Sequence, residues 1–332
     1  MSELRIEAVD PYDEQALRRW FDAEQASIAH DRPLAISRTW LATSGALTSP
    51  SPYFRVELVV ATVDDEVVGT GELELRLRDN THLAELMVHV VPDRRREGIG
   101  RRIFDHLEAR ARGEGRTTLL AELVVATDDR TGAGLGFCEA LGFSSVHQEE
   151  HLALRLPTDD ARLAGLRHLT PGYEIVTWGS RCPDELVDQY CRMRTQMGQD
   201  VPSGEVAFEA PVIDEERIRI QEERLAPLYH QVVAAARRSS DGEVAGYSVL
   251  FLPRDSRDVL QDDTLVMPGD RGHGLGLQLK LATFEVMQRE HPDRAALHTW
   301  TDPSNTAMYR TNAVFGYTTA ELMHEMQRQE AS

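Results

Sequence analysis

The sequence predicts an α/β protein of two similar units, each a meander of hairpin-linked strands flanked by helices. Three observations carry this. The chain has 332 residues, and at about 150 residues per domain two domains are the natural division. A motif of arginine and glycine occurs twice in register, as Pro92-Asp-Arg-Arg95-Arg-Glu-Gly98-Ile-Gly100 and as Pro268-Gly-Asp-Arg271-Gly-His-Gly274-Leu-Gly276, 176 residues apart. Flanking landmarks keep the same order: Asp65-Glu-Val-Val-Gly69 matches Gly242-Glu-Val-Ala-Gly246, and Leu141-Gly142-Phe143 matches Phe315-Gly316-Tyr317. The chain reads as a duplication, with domains expected at 1–156 and 173–332 and a linker at 157–172, where prolines, aspartates and glycine gather.

In the first copy, Leu4 to Val9 alternates as a strand, and Asp13 to Ala29 carries Leu17, Phe21 and Ile28 at helical spacing. Tyr53 to Val63 and Val67 to Leu77 are strand-like and joined by Asp64-Asp65-Glu66 as a hairpin turn. His82 to Val91 is a further strand, stopped by Pro92. Gly98 to Arg112 places Ile99, Ile103, Leu107 and Ala111 on one helix face. Thr118 to Val125 follows as a strand, Ala133 to Leu141 as a helix and Glu150 to Leu156 as a closing strand. The second copy reads Tyr173 to Trp178 (strand), Asp184 to Met197 and Glu215 to Leu225 (helices), then strands at Tyr229 to Arg237, Val244 to Leu252 and Thr264 to Met267. Gly274 to Arg289 (helix), Ala296 to Thr301 (strand), Asn305 to Phe315 (helix) and a last strand near Glu321 to Met326 complete it.

Composition bounds the function. Hydrophobic residues at 41% and charged residues at 27% describe a globular chain. With 36 Lys+Arg against 55 Asp+Glu the net charge is −19, which repels phosphate backbones and favours cationic partners, so nucleic-acid binding is not expected. No apolar run reaches the ~18 residues of a membrane span, and Met1 to Pro11 lacks the pattern of a signal peptide, so a cytoplasmic location without membrane contact is expected. Three cysteines without a C-x-x-C spacing support neither a disulfide framework nor a metal site.

The repeated loop lies between a strand and a helix. Glycines there allow close approach of a ligand to the backbone, and first-turn N–H groups at the positive end of a helix dipole suit a pyrophosphate. A P-loop would need Gly-Lys-Ser/Thr, whereas Gly100 precedes Arg101-Arg102 and Gly276 precedes Leu277-Gln278. A dinucleotide fold would place the loop after the first strand of its unit rather than after a meander. A glycine turn that merely packs a helix on a sheet leaves the arginine of both copies unexplained. The run Arg94-Arg95-Arg96 with Arg101-Arg102 opposes the helix dipole and reads as counter-charge to an anion.

These residues resemble the Gcn5-related N-acetyltransferase (GNAT) superfamily, whose coenzyme A loop reads V-x-P-x-x-R-x-x-G-x-G/A. Both Val90/Val91-Pro92 to Gly100 and Val266-Met-Pro268 to Gly276 resemble it, and Asn305 to Tyr317 resembles in part the following N-x-x-A-x-x-x-Y-x-x-x-G-F element. The resemblance is to tandem members and implies two GNAT-like domains, each with a mixed, mostly antiparallel sheet flanked by helices. It implies acetyl-coenzyme A as cofactor and direct acetyl transfer, within a ternary complex, to a primary amine of a small molecule, by a monomer or homodimer. The cofactor set it implies is Met87, Val88, Val90, Arg95, Arg96, Glu97, Gly98, Ile99, Gly100 and Arg101 in the first copy. In the second it is Leu265, Val266, Met267, Arg271, Gly272, His273, Gly274, Leu275, Gly276 and Asn305. An amine must lose a proton, so a carboxylate base is expected among Glu85, Asp262 and Asp263. The family's acid tyrosine falls on Cys138 and Asn312, and Tyr309, one turn before Asn312, is a substitute candidate. The family asparagine falls on Thr131 in a glycine-rich stretch, which makes the second copy the expected catalytic one. A coenzyme A-binding sensor without turnover, and an enzyme using another acyl group, stand as alternatives.

Overall fold

The computed structural model describes residues 3–30, 32, 34–127, 132–158, 163–167, 170–200 and 204–329. They form two compact units. The first takes the described residues of Met1–Gln148, Ser203–Glu209 and Glu321–Ser332; the second takes those of Glu149–Pro202 and Ala210–Ala320.

In the first unit β1 (Arg5–Val9) leads to α1 (Glu14–Ala29), started by Asp13, whose carboxylate accepts the N–H groups of Gln15 and Ala16. A second helix, α2 (Trp40–Thr48), was not legible: its sequence of small and hydroxyl residues has no apolar period, and Thr39 caps it. β2 (Phe54–Val63) and β3 (Glu66–Arg76) are joined by Asp64 and Asp65 at φ 50° and 65°, the mirror-image turn that matches strand twist. Then come β4 (Leu83–Val90), α3 (Ile99–Gly113), β5 (Thr118–Ala126), α4 (Ala133–Ala140) and the first residues of β6 (Ser144–Arg155). The apolar stripe of α3 is buried as its spacing requires, with Ile103 and Leu107 in the core beside Leu73 and Leu86. Thr131 lies outside the described residues.

The second unit contains β7 (Tyr173–Trp178), α5 (Val187–Asp200), α6 (Glu215–Leu225), β8 (Tyr229–Arg238), β9 (Val244–Pro253) and β10 (Asp258–Val266). It continues through α7 (Leu275–Glu290), β11 (Ala296–Thr301), α8 (Thr306–Phe315) and the start of β12 (Thr318–Gln329). β10 starts six residues before the expected Thr264, because an irregularity and two adjacent aspartates interrupt its alternation. Among the described residues no helix is long and apolar enough to cross a membrane.

The strand order in the first unit is β1-β2-β3-β4-β5-β12, and in the second β7-β8-β9-β10-β11-β6. Only β4–β5 and β10–β11 run parallel; the remaining pairs within each unit are antiparallel. The closing strands depart from the expected boundaries at 156 and 173. Glu150–Arg155, expected to close the first domain, pairs with β11 of the second unit, while Glu321–Gln329 pairs with β5 of the first. Period-two alternation marks a strand and its faces but not its partner, so the exchange leaves no trace in the sequence. Part of the expected linker, residues 159–162, 168 and 169, lies outside the described residues.

Removing residues 321–332 should leave β5 as an open edge in the first unit. Hydrogen exchange of the Thr118–Ala126 amides is expected to accelerate by at least tenfold while that of β8 and β9 changes little; equal acceleration in both units would contradict this assignment.

Candidate active site

Each glycine loop has the same build. A strand ends at Val90 or Val266, a 3-10 turn follows at Pro92–Arg94 or Pro268–Asp270, and a left-handed glycine caps the next helix, Gly98 at φ 81° or Gly274 at φ 74°. Two residues earlier the backbone is again left-handed, at φ 69° for Arg96 and 85° for Gly272, so only the second copy meets that demand with glycine. The repeated arginine is a brace. Arg95 Nε donates to the Val90 carbonyl at 3.1 Å and Arg271 Nε to that of Val266 at 3.1 Å. Their outer nitrogens reach Ser27 and the Asp200 carboxylate respectively.

The neighbouring arginines are matched by carboxylates of the same segment, Arg94 by Glu97 at 3.1 Å and Arg101 by Asp105 at 2.7 Å. His273 Nδ1 bonds the Asp270 carbonyl at 3.0 Å. Arg96 and Arg102 of the same run are not part of these pairs, and the loop backbone adds further donors. Arg102 and Gln278 donate the first bonds back to Gly98 and Gly274, leaving the amides of 99–101 and 275–277 without partners inside the helix. A Cβ on Gly98 would meet nothing within 4 Å, so the loop borders open space there. Ile99 and Leu275 are buried and anchor the helix starts.

Upstream of each loop the parallel strands part. β4 pairs with β5 only from Leu83 to Glu85 but continues to Val90, and β10 pairs with β11 only from Asp258 to Leu260 but continues to Val266. The copies then differ. β4, eight residues long, is in unbroken register with β3 from Ala84 to Val90, whereas β10 has nine residues and shifts against β9 between Gln261 and Thr264. The extra residue is a bulge at Asp262-Asp263. In the first copy Phe137 of α4 comes up to the loop, 3.4 Å from where a Gly100 Cβ would stand; at Gly276 the nearest atoms to such a Cβ are 3.9 Å away, on Thr264 and Val266.

At the bulge, Asp263 accepts the Tyr247 hydroxyl at 2.7 Å and lies 3.5 Å from Arg194 Nε. Arg194 in turn donates to the Tyr190 hydroxyl at 3.3 Å and, with Tyr190, Trp178 and Phe251, lines a small pocket. Asp262 keeps access to solvent although protein surrounds it, and its carboxyl is pushed upward by desolvation and then by the charge of Asp263, with Arg194 opposing. Arg194, Tyr190 and Tyr247 were not anticipated; helix and strand spacing alone does not say which residues meet a bulge on a neighbouring strand.

The residues expected on α8 have different fates. Asn305 caps the helix, its Oδ1 accepting Met308 N–H at 3.2 Å. Tyr309 is 37% exposed with its hydroxyl 3.4 Å from Glu150, while Asn312 is 0% exposed, so the two do not share a face toward one ligand. Asn312 donates to Thr301 Oγ1 at 2.9 Å and accepts from Lys280 Nζ. Lys280 was missed, yet it is the sole lysine in the sequence and stands among leucines, a signal that was present. Cys138 at the matching place in α4 is partly buried, and burial raises its thiol.

In the first unit Glu85 faces Glu74 across β3–β4 and lies 3.5 Å from Arg76. Burial raises both carboxyls, with Arg76 opposing. Nearby, Arg38 pairs with Glu72 at 2.5 Å and sits 3.9 Å from Glu24, and burial of Glu24 pushes its carboxyl to about 7. His89, 4.0 Å from Glu24, is pushed down to about 4 by burial and by surrounding arginines. A carboxyl raised in the folded state binds its proton more tightly there, so its contribution to stability is full below about pH 4.5 and lost as pH rises through about 7. Glu24→Gln should flatten this fall, seen as urea midpoints that change less between pH 5 and 8 than in the unsubstituted protein.

Comparison with known proteins agrees with this geometry. Residues 14–143 match the family described as acetyltransferase (GNAT). A tandem GNAT protein from the clavulanic acid biosynthesis pathway, solved without acetyl-coenzyme A, is 26% identical, with 99% of each chain covered and a TM-score of 0.85. A GCN5-related N-acetyltransferase from Sphaerobacter thermophilus shares the fold at 17% identity and a TM-score of 0.66, over 98% of this chain and 95% of that one. A comparison with curated proteins returns no match. A duplicated glycine loop at a strand-to-helix junction and a parting parallel pair in each unit thus accompany a match of residues 14–143 to the acetyltransferase (GNAT) family and a likeness of the whole chain to a tandem GNAT protein.

Proposed function

We propose that the chain moves an acetyl group from acetyl-coenzyme A to a primary amine of a small molecule, and that the second unit performs the transfer. One observation carries the choice of unit: only β10 combines the parting from its parallel neighbour with a bulge that presents two carboxylates just upstream of a glycine loop. The first copy has unbroken register and Phe137 against its loop, which supports a binding or structural role there.

Acetyl-coenzyme A, when bound, would supply an activated thioester, with the amides of 275–277 as the cradle for its pyrophosphate. Strand edges freed beyond Leu260 can pair with an extended ligand, and a backbone N–H there can polarise a carbonyl. Transfer forms a nitrogen–carbon bond and breaks a carbon–sulfur bond, and the proton lost by nitrogen goes to the Asp262 carboxylate. Asp263, bonded to Tyr247 and adjacent to Arg194, is committed to structure and keeps the charge that raises its neighbour. The net charge of −19 favours a cationic acceptor; a cytoplasmic setting and a monomer or homodimer belong to the same proposal.

Gly274→Val, which forces a branched side chain into left-handed backbone at the cradle, should abolish turnover of acetyl-coenzyme A, while Gly98→Val retains most of it. Asp262→Asn should lower kcat by ~10²-fold or more. In the unsubstituted enzyme kcat/KM should rise with pH through an inflection above the ordinary carboxylate range and fall as salt screens the acceptor. Tyr309→Phe should change kcat by less than about threefold, since its ring stands on the exposed side of α8; a ~10²-fold loss would restore it as general acid. Binding of acetyl-coenzyme A with no transfer to any of a panel of amines would favour the sensor reading.

A further inference from the structure

Lys280 of α7 is 2% exposed, and among the described residues no carboxylate acts on its ammonium: burial accounts for its displacement, down to about 7. The groups facing it are Asn312 from α8, whose Oδ1 it donates to, and the ring of Tyr317, 5.3 Å away at the approach to β12. Asn312 passes the bond on through Nδ2 to Thr301 Oγ1 at 2.9 Å. With Lys280 protonated, the amide's orientation follows from the network, because an ammonium can only donate. Thr301 thus receives a hydrogen bond and retains its own O–H to give. It is the last residue of β11, beyond His298 where pairing with β10 stops, so the chain of bonds ends beside the opened strands.

An unpaired buried cation is expensive, and two observations indicate that the fold itself does not require this one. At the matching positions of the first copy stand Phe104, Cys138 and Phe143; the two rings pack edge to face at 5.9 Å, and the cation over them, Arg328, is paired with the Glu108 carboxylate, as Lys280 is not. Lys280 is also the only lysine in the sequence, every other basic side chain being arginine or histidine. A guanidinium keeps its proton under all ordinary conditions, whereas an amine can hold or release one as its surroundings change.

We propose that Lys280, Asn312 and Thr301 form a polarised relay that stabilises the sulfur leaving group, with Thr301 as the donor to sulfur and Lys280 and Asn312 as positioning residues behind it. The inference rests on the reading that the thioester donor lies between β10 and β11 of the second unit. As the carbon–sulfur bond breaks, sulfur keeps the electron pair, and its negative charge faces a hydroxyl dipole backed by the ammonium; the proton from the amine goes to Asp262. This gives the second unit an electrostatic substitute for the tyrosine its sequence lacks.

The single lysine makes a direct test possible. In protein carrying 13Cε-labelled lysine, one resonance reports Lys280, and its titration can be followed with coenzyme A and with desulfo-coenzyme A, each shown by calorimetry to be bound. Coenzyme A should raise the lysine's midpoint by about one pH unit or more, as an opposite charge close by does, and desulfo-coenzyme A should not. Thr301→Val, which keeps shape and removes the hydroxyl, should reduce the shift by at least half. Lys280→Met should raise the pH at which the bound thiol reacts with an alkylating reagent by a similar amount. Equal shifts with both ligands, or none with bound coenzyme A, would overturn the relay. Binding that survives Gly274→Val unchanged would instead overturn placement of the donor in the second unit, and the relay with it.

Discussion

Parallel strands that separate partway along their length leave backbone donors and acceptors unpaired inside a sheet, and the architecture of both units follows from managing that gap. β10 leaves β11 after Leu260, and β4 leaves β5 after Glu85. The helix that follows each divergent strand must start close to the gap, which requires the left-handed turns at Gly98 and Gly274. The turn would pivot without a tether, and the Arg95 and Arg271 side chains supply one by bonding the last carbonyl of their own strands. The unpaired edges and the exposed first-turn amides then form one continuous hydrogen-bonding surface, the physical basis of a site for a long, phosphate-bearing ligand.

From this shared frame the copies diverge through a few residues. One additional residue in β10 creates the bulge that sets Asp262 and Asp263 side by side, and their mutual repulsion with burial displaces one carboxyl toward the range useful to a base. The first copy keeps a regular strand and a different set of charges, with Glu24 of α1 and Glu72, Glu74 and Glu85 of β3 and β4 against Arg38 and Arg76. Behind the gap the contrast reverses: Phe104, Cys138 and Phe143 make an apolar support in the first unit, where the second buries Lys280, Asn312 and Tyr317. Duplication allows such asymmetry because a change in one copy leaves the other intact.

Residue spacing determined much of this protein. The repeat fixed the number of units, alternation and helical periods located most elements, and the strand-to-helix placement of glycine and arginine identified the loop, because each of these depends on local geometry. Tertiary structure decided what depends on contacts between distant segments. The brace made by Arg271, the burial that separates Asn312 from Tyr309, the bulge in β10 and the pairing of Glu321–Gln329 with β5 all require knowing which backbone lies alongside. Lys280 belongs to both levels: its solitude was written in the sequence, but only the packing of α7 against α8 shows a buried ammonium bonded to Asn312, since a lysine's chemistry is set by how much water and which charges the fold leaves around it.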